Sequence, residues 1–193
     1  MKICIYGASS NDIDKSFIEA GEKLGKEIAS CGQTVVFGGG AGGLMGAVAR
    51  GAHSANGEII GICPSFFNVD GALFQNCTEM IYTKTMSERK TLLEDMSDAF
   101  IVTPGGIGTF DEFFETITLR QLCIHTKPIA ILNTNGYFDP MIKMLQSAVE
   151  QKFMPATNMN LFFASDDCVK ILNYLKEYKP TENDITSFKN ITK

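Results

Sequence analysis

A glycine-rich turn that runs into acidic residues is the segment of this sequence best suited to chemistry. It reads PGGIGTFDE, from Pro104 to Glu112. Glycines allow a ligand to approach bare backbone N–H groups, and a helix that begins after them adds unpaired N–H donors and a partial positive charge. Together these features predict a phosphate site at residues 105–109. An ordinary strand–helix turn is the simpler alternative, although the hydroxyl of Thr109 and the acids behind it favour a ligand.

The carboxylates behind the turn are placed to act on whatever the turn binds. Glu112 and Glu115 are three residues apart, so on a helix they share a face. Near a sugar ring, a carboxylate can stabilise positive charge or activate a water molecule. Asp111 also has a simpler interpretation, because acids in a first helical turn complement the helix dipole. The core contacts of this helix are left to Phe113, Phe114 and Ile117.

Arg89 is the second residue whose position suggests chemistry. The segment Thr85-Met86-Ser87-Glu88 has the pattern of a helix capping box. The apolar stripe of the helix that follows is formed by Met86, Leu93 and Met96. Arg89 falls within that stripe, and a guanidinium that faces the interior needs an anionic partner. Two outcomes are open: the side chain extends to the helix edge, or it enters the same cleft as Glu112. Lys90 lies on another face and reaches that cleft only from the side.

Alternating strand and helix patterns must position these residues. The predicted strands are 2–6, 34–37, 59–63, 80–83, 99–103, 128–132 and 161–163. The predicted helices are 14–30, 43–55, 85–97, 109–124, 138–152 and 166–178. Several strands are continuously apolar, as in a parallel sheet that is buried on both faces. The pattern predicts a doubly wound α/β fold, with a mostly parallel sheet of about seven strands and helices on both faces.

Ligands of such sheets bind beyond the carboxyl ends of the strands, and there the sequence places three small-residue turns. They follow the first, second and fifth strands, at residues 7–10, 38–43 and 104–109. The second turn formally matches the dinucleotide fingerprint GxGxxG. However, the acid about 20 residues further on, Glu58, stands at the start of the next strand, which does not suit NAD. The sequence has no GKS or GKT, which excludes a P-loop.

Composition narrows the classes of function further. The chain has 193 residues, a net charge of −5 and no Lys/Arg block, which gives no support to a nucleic-acid partner. Residues 1–178 fit a single domain, followed by a polar tail at 179–193. Six cysteines without a CxxC pair and two histidines predict reduced, buried thiols and no metal site. Without a leader or an apolar run of ~20 residues, we expect a soluble cytoplasmic protein with no membrane partner.

Three motifs together resemble the Lonely Guy (LOG) family: MSERK at 86–90, PGGIGTFDE at 104–112 and GGGAGGLMG at 38–46. The resemblance extends from the GASS turn at 7–10 to about residue 152. It implies a Rossmann-like fold, a homodimer, no cofactor, and hydrolysis of N6-modified AMP, such as a cytokinin riboside 5′-monophosphate, to free base and ribose 5-phosphate. Bacterial members long carried the label lysine decarboxylase, but nothing in this sequence indicates a lysine that binds pyridoxal phosphate.

The resemblance also implies roles for particular residues. The family's catalytic pair corresponds to Arg89 and Glu112. The family's substrate contacts further correspond to Lys90, Gly106, Ile107, Gly108, Thr109, Phe110, Asp111 and Thr118. The turns and the helix face described above add Gly105, Glu115, Gly39, Gly40 and Ser9 to the predicted substrate contacts. Two departures from the family pattern bear on which base is preferred: Ser87 stands where histidine is common, and no acid follows Pro64 in the segment PSFF. A nucleotide or cofactor carrier without turnover, built on the same fold, is the alternative function.

Overall fold

The structure is a computed structural model that describes residues 1–180. Its strands are β1 (Lys2–Tyr6), β2 (Thr34–Phe37), β3 (Ile59–Pro64), β4 (Glu79–Thr83), β5 (Ala99–Val102), β6 (Ile129–Leu132) and β7 (Phe163–Ser165). Its helices are α1 (Lys15–Ser30), α2 (Gly43–Ser54), α3 (Met86–Asp95), α4 (Ile107–Gln121), α5 (Asp139–Glu150) and α6 (Cys168–Glu177). Of the predicted tail at 179–193, residues 181–193 lie outside the described part of the chain.

All seven strands of the described chain belong to one parallel sheet, in the order β4-β3-β2-β1-β5-β6-β7. One face packs against α1, α2 and α6 through side chains such as Leu24, Val48 and Ile171. The other face packs against α3, α4 and α5 through Leu93, Phe113 and Met141. The central strands are therefore apolar on both faces, as their sequences indicate. The predicted doubly wound α/β fold is confirmed.

The strand order creates a crevice beside β1. From β1 the chain continues into α1 on one face, and from the neighbouring strand β5 it continues into α4 on the other face. Such a switch point is where open α/β sheets bind ligands. The turns after β2, β1 and β5 meet there, because these three strands are adjacent and parallel. Glu58 lies at the opposite edge of the sheet, where it accepts a hydrogen bond from Thr34 Oγ1 at 2.6 Å.

Many predicted boundaries differ from the structure by one to three residues, and two of these differences have a clear physical reason. The last strand is Phe163–Ser165, because Leu161 ends a 3₁₀ helix (Ala156–Leu161) and its carbonyl accepts a hydrogen bond from Arg120 Nη1 at 2.6 Å. Helix α4 begins at Ile107, two residues before the predicted start. Gly106 adopts an extended N-cap conformation, and Gly108 belongs to the first turn because glycine lowers helix propensity without preventing a helix.

The expectation of buried thiols holds for part of the cysteine set. Cys4, Cys63 and Cys168 are buried, and none of the six cysteines, which all lie within residues 1–180, forms a disulfide. Cys31 is exposed instead, because it stands just past the end of α1, where the chain turns at the surface. Burial raises the pKa of the Cys63 thiol, and it raises the pKa of Cys77 to about 11. These two thiols therefore stay protonated near neutral pH, consistent with a structural role.

Candidate active site

A cleft of ≈ 570 Å³ opens at the carboxyl edge of the sheet, between the turns that follow β1, β2 and β5. Its volume is in the range of small-molecule sites. The side chains and turns that line it are Gly7, Ala8, Ser9, Gly38, Gly40, Met45, Phe67, Ala72, Leu73, Met86, Arg89, Lys90, Gly106, Ile107, Gly108, Thr109, Asp111 and Glu112. The three predicted small-residue turns thus contribute to a single site.

The N-terminus of α4 faces this cleft without a protein cap. Gly106 is the N-cap residue and offers no side chain, and the first helical bond runs from Phe110 N–H to the Gly106 carbonyl at 3.1 Å. Within residues 1–180, no acceptor pairs with the N–H groups of residues 107–109. A Cβ added to Gly106 or Gly108 would meet nothing within 4 Å. The turn therefore has free donors, the positive end of a helix dipole and open space, which together suit an anion.

The glycine turn before α2 is occupied by the protein itself. Gly43 N–H donates to Asn11 Oδ1 at 2.8 Å, and Met45 N–H donates to the Ala8 carbonyl at 3.1 Å. The backbone of residues 39–41 is also bonded to the segment at 72–74. Gly40 lines the cleft, whereas Gly39 packs against Cys63 and Met80 with a φ of +79°. The N–H groups of Gly43 and Met45 are thus already paired within the protein, whereas those at the start of α4 are not.

Arg89 and Glu112 form a buried ion pair inside the cleft. Arg89 Nη1 donates to Glu112 Oε1 at 2.8 Å, and the two side chains are 10% and 9% exposed. A Cβ at Gly38 would collide with the guanidinium, so the bare glycine after β2 makes room for it. Of the two outcomes left open for Arg89, the structure shows the one in which it faces Glu112 across the cleft.

The predicted apolar stripe of α3 is wrong at Met86. This residue is exposed, because it lies at the start of α3, where it lines the cleft and does not enter the core.

Opposing influences act on the Glu112 carboxylate. Its burial disfavours the charged form, and the Arg89 guanidinium favours it. Burial is the larger effect, so the pKa of Glu112 is raised above its usual 4.5. A carboxylate with a raised pKa is a better proton acceptor than an exposed one. Glu112 is therefore a buried carboxylate suited to accept a proton, and the Arg89 guanidinium holds it in place.

Lys90 closes the side of the site. Its ammonium lies 3.1 Å from Asp111 Oδ2 and 2.6 Å from Glu115 Oε2, and thereby ties α3 to α4. The hydrogen bond to Glu115 is the main reason that the pKa of Lys90 is raised. Lys90 and Asp111 line the cleft, while Glu115 does not. Glu112 and Glu115 both face α3, but they pair with different cations.

Several predicted contacts lie elsewhere in the structure. Thr118 is two turns further along α4, where its hydroxyl donates to the Phe114 carbonyl at 2.6 Å and the side chain borders a separate cavity of ≈ 120 Å³. Phe110 packs edge-on against Phe138 at a centroid distance of 6.3 Å. Gly105 lies behind the cleft, because a Cβ there would collide with Thr109. Phe110 and Thr118 thus lie on other faces of α4, and Gly105 precedes the helix.

Some lining residues carried no chemical signal in the sequence. Met45, Leu73 and Met86 are apolar and join Phe67 and Ile107 to form the hydrophobic part of the cleft. Phe67 belongs to the segment PSFF that follows β3, and Ala72 and Leu73 belong to the loop before β4. Ser87, the departure from the family motif, borders a different surface groove with Glu88. One cavity thus combines the uncapped start of α4, the buried carboxylate of Glu112 and an apolar wall.

Within residues 1–180, no group of three or more His, Cys, Asp or Glu side chains is placed to hold a metal ion. No helix of this described part combines the length and apolar character needed to cross a bilayer.

Comparison with known proteins agrees with the motifs. The family model described as "Possible lysine decarboxylase" matches residues 45–175. Cytokinin riboside 5′-monophosphate phosphoribohydrolase LOG2 of Arabidopsis thaliana is 32% identical over 186 residues, which cover 96% of this chain and 87% of the relative. A probable cytokinin riboside 5′-monophosphate phosphoribohydrolase of Oryza sativa subsp. japonica, LOGL9, is 35% identical over 93% of this chain and 79% of its own length.

Solved structures share the fold at lower identity. The molybdenum cofactor binding protein of Rippkaea orientalis aligns with a TM-score of 0.68 at 22% identity, covering 91% of this chain and 96% of that protein. The molybdenum cofactor carrier protein of Chlamydomonas reinhardtii aligns with a TM-score of 0.69 at 21% identity, covering 91% and 96%. Because relatives of 32% and 35% identity cover more than 90% of the chain and the family model matches residues 45–175, the chain belongs to the LOG family.

Proposed function

We propose that this protein hydrolyses the N-glycosidic bond of a nucleoside 5′-monophosphate, AMP or an N6-modified AMP, and releases the free base and ribose 5-phosphate. The observation that carries the proposal is the position of the Arg89–Glu112 pair in the same cleft as the uncapped start of α4. The relatives named as cytokinin riboside 5′-monophosphate phosphoribohydrolases support the same activity.

The phosphate binds at the start of α4. The free N–H groups of residues 107–109 and the helix dipole attract the 5′-phosphate, and the open faces of Gly106 and Gly108 let it approach. Binding at this remote group fixes the distance between the anomeric carbon and the carboxylate. Phosphate affinity is thereby used to orient the reacting bond.

Glu112 acts at the anomeric carbon. Positive charge develops on the ribose as the C1′–N bond breaks, and a nearby carboxylate stabilises it. A water oxygen forms the new bond to C1′, and Glu112 accepts the proton that this water loses. The electron pair of the broken bond goes to the base nitrogen, which takes up a proton from solvent as the base leaves, and Glu112 then returns its proton to solvent. Arg89 holds the carboxylate in position and keeps it ionised in spite of its burial.

The apolar wall receives the base. Phe67, Leu73 and Met86 offer a hydrophobic surface of the kind that planar rings and apolar substituents bind. This wall favours a purine, with or without an apolar N6 group, over a small polar leaving group.

The family description names a decarboxylase, but the lysine that lines the cleft is poorly suited to that chemistry. Two carboxylates hold Lys90 as an ammonium and raise its pKa. A Schiff base with pyridoxal phosphate requires a neutral amine, which is obtained by lowering a lysine pKa. The proposal therefore includes no cofactor.

Assembly and location complete the proposal. We infer a homodimer, as the resemblance to the family implies. We also infer a cytoplasmic location, because six cysteines without a disulfide suit a reducing compartment.

A product assay tests the proposed activity. The purified protein is incubated with AMP, with N6-isopentenyl-AMP and with a panel of other nucleoside monophosphates, and free base and ribose 5-phosphate are quantified. The proposal requires equal amounts of both products from at least one of them. Tight binding without any product would refute hydrolysis and would favour a nucleotide or cofactor carrier, the role named for the solved structures that share only the fold.

A further inference from the structure

The peptide between Gly105 and Gly106 is held by a hydrogen bond from a residue that lies outside the cleft. The hydroxyl of Tyr137 donates a hydrogen bond to the Gly105 carbonyl at 2.6 Å. Tyr137 comes from a different part of the chain, the loop that follows β6, the strand next to β5. It does not line the cleft; with Phe17 and Pro104 it borders a second cavity of ≈ 210 Å³ on the other side of the turn.

The direction of this carbonyl determines where the next N–H group points. In a trans peptide the C=O and N–H bonds point in opposite directions. With the Gly105 carbonyl bonded to Tyr137, the Gly106 N–H points away from Tyr137. The preceding carbonyl, that of Pro104, is likewise occupied, because it accepts a hydrogen bond from Ala8 N–H at 3.0 Å. Both carbonyls of the turn are thus held by the protein, and neither is free to face an anion.

The orientation of this peptide depends on a contact from another part of the chain. Glycine is the residue with the greatest backbone freedom, and the bond in question joins two glycines. Gly105 is packed against Thr109, but nothing lies within 4 Å of a would-be Cβ at Gly106, so on that side no neighbour holds the peptide in place. A flipped peptide would present a carbonyl oxygen to a bound phosphate and would remove a donor.

Tyr137 is itself firmly placed. Phe138 N–H donates to Asn133 Oδ1 at 2.7 Å, and Asn133 Nδ2 donates to Asp139 Oδ1 at 2.7 Å, which closes the loop on itself. Asn135 Nδ2 donates to Ser16 Oγ at 2.8 Å and so attaches the loop to α1. The ring of Tyr137 packs edge-on against Phe17 at 6.0 Å. The hydroxyl is therefore held at a fixed point behind the turn.

From this geometry we infer that Tyr137 is a positioning residue for the phosphate of the substrate: its hydroxyl fixes the Gly105–Gly106 peptide so that the Gly106 N–H points into the cleft, beside the N–H groups of residues 107–109. The inference rests on the proposed function, because it takes a phosphate ester as the ligand of the α4 turn. It assigns to Tyr137 an effect on phosphate affinity and none on the apolar wall that receives the base.

The variant Tyr137→Phe removes one hydroxyl and keeps the ring contacts. We expect the Kd for ribose 5-phosphate, measured by calorimetric titration, to rise about tenfold, as for the loss of one oriented donor. The KM for AMP should rise by a similar factor, with kcat changed less than about threefold, because the carboxylate is untouched. The Kd for free adenine should stay as in the wild type. A melting curve checks that the variant is folded.

Tyr82→Phe is the matched control, since it removes a hydroxyl from the half-exposed edge strand β4. Its affinity for ribose 5-phosphate should equal that of the wild type.

The inference is overturned if Tyr137→Phe binds ribose 5-phosphate as tightly as the wild type, or if adenine binding weakens by the same factor. If the wild type releases no base from AMP, the proposed hydrolysis fails, and the ribose 5-phosphate titration alone then decides the role of Tyr137. A wild type that does not bind ribose 5-phosphate overturns both.

Discussion

Glu112 and Arg89 depend on each other at the scale of single residues. The arginine stood out in the sequence because it interrupts an apolar stripe, and the structure pairs it with Glu112 at 2.8 Å. The sequence could not reveal that Gly38, from the turn after β2, leaves the space that the guanidinium fills. That contact joins distant parts of the chain, and no local pattern encodes it. The same holds for Tyr137, which gave no signal before the fold was known.

The raised pKa of Glu112 predicts the acid side of the pH profile. Glu112 must be deprotonated to accept a proton, so activity is present above its pKa and is lost as the pH falls through it. Because burial raises this pKa, the acid limb of kcat/KM should lie above pH 4.5. Arg89→Ala removes the influence that lowers the pKa, so its residual activity should show a limb at still higher pH.

The measurement is a pH profile of kcat/KM for the wild type, Arg89→Ala and Glu19→Gln. Glu19 is an exposed glutamate on α1, paired with Lys15, and its variant should reproduce the wild-type profile. A wild-type limb at or below pH 4.5, or a limb that Arg89→Ala leaves in place, would contradict the assignment of Glu112 as the base.

The start of α4 is the feature that matters most at the scale of elements. Sequence patterns predicted the helix and the phosphate turn, but the helix begins two residues early, so that Gly108 and Thr109 belong to its first turn. Glycines usually indicate a loop, so the sequence pattern placed Gly108 in the turn although it belongs to the helix. This boundary matters for the proposed function, because the N–H groups proposed to bind the phosphate then belong to a helix and have its dipole behind them.

Gly108→Ala should separate stability from binding. The position is helical and open, so a methyl group fits the fold and should raise the free energy of unfolding by up to about 1 kcal/mol through helix propensity. The same methyl group stands where the phosphate approaches, so the KM for AMP should rise at least about tenfold. Denaturant unfolding and steady-state kinetics measure the two effects.

Gly105→Ala provides the contrast to this variant. Its Cβ would collide with the Thr109 side chain and lie 2.9 Å from Ala8 N, so it should lower the free energy of unfolding. If Gly108→Ala left the KM unchanged, the phosphate would not bind at the start of α4.

The whole molecule explains why the three turns converge. Continuous apolar strands predicted a parallel sheet with helices on both faces, and that prediction is confirmed. The strand order could not be predicted in the same way, because the buried strands have similar composition and their crossovers leave no local mark. It is the order β2-β1-β5 that brings residues 7–10, 38–43 and 104–109 to one crevice.

The predicted homodimer is a property of this largest scale. Leu119, Leu122 and Cys123 on α4 and just beyond it are half-buried in the single chain, and the nearby Ile124 is 70% exposed. Light scattering during gel filtration should give twice the chain mass of 21.1 kDa. A mass of one chain at micromolar concentration would show that the protein acts as a monomer.

The release of base by Glu112→Gln tests the central claim most directly. The amide keeps the shape of the side chain and an oxygen for Arg89, but it cannot accept a proton at neutral pH. The steady-state rate of adenine formation from AMP should fall by about 10²- to 10⁴-fold. The Kd for ribose 5-phosphate should stay within about threefold of the wild type, because this carboxylate does not bind the phosphate. Near-normal release of adenine by a folded Glu112→Gln protein would contradict the account.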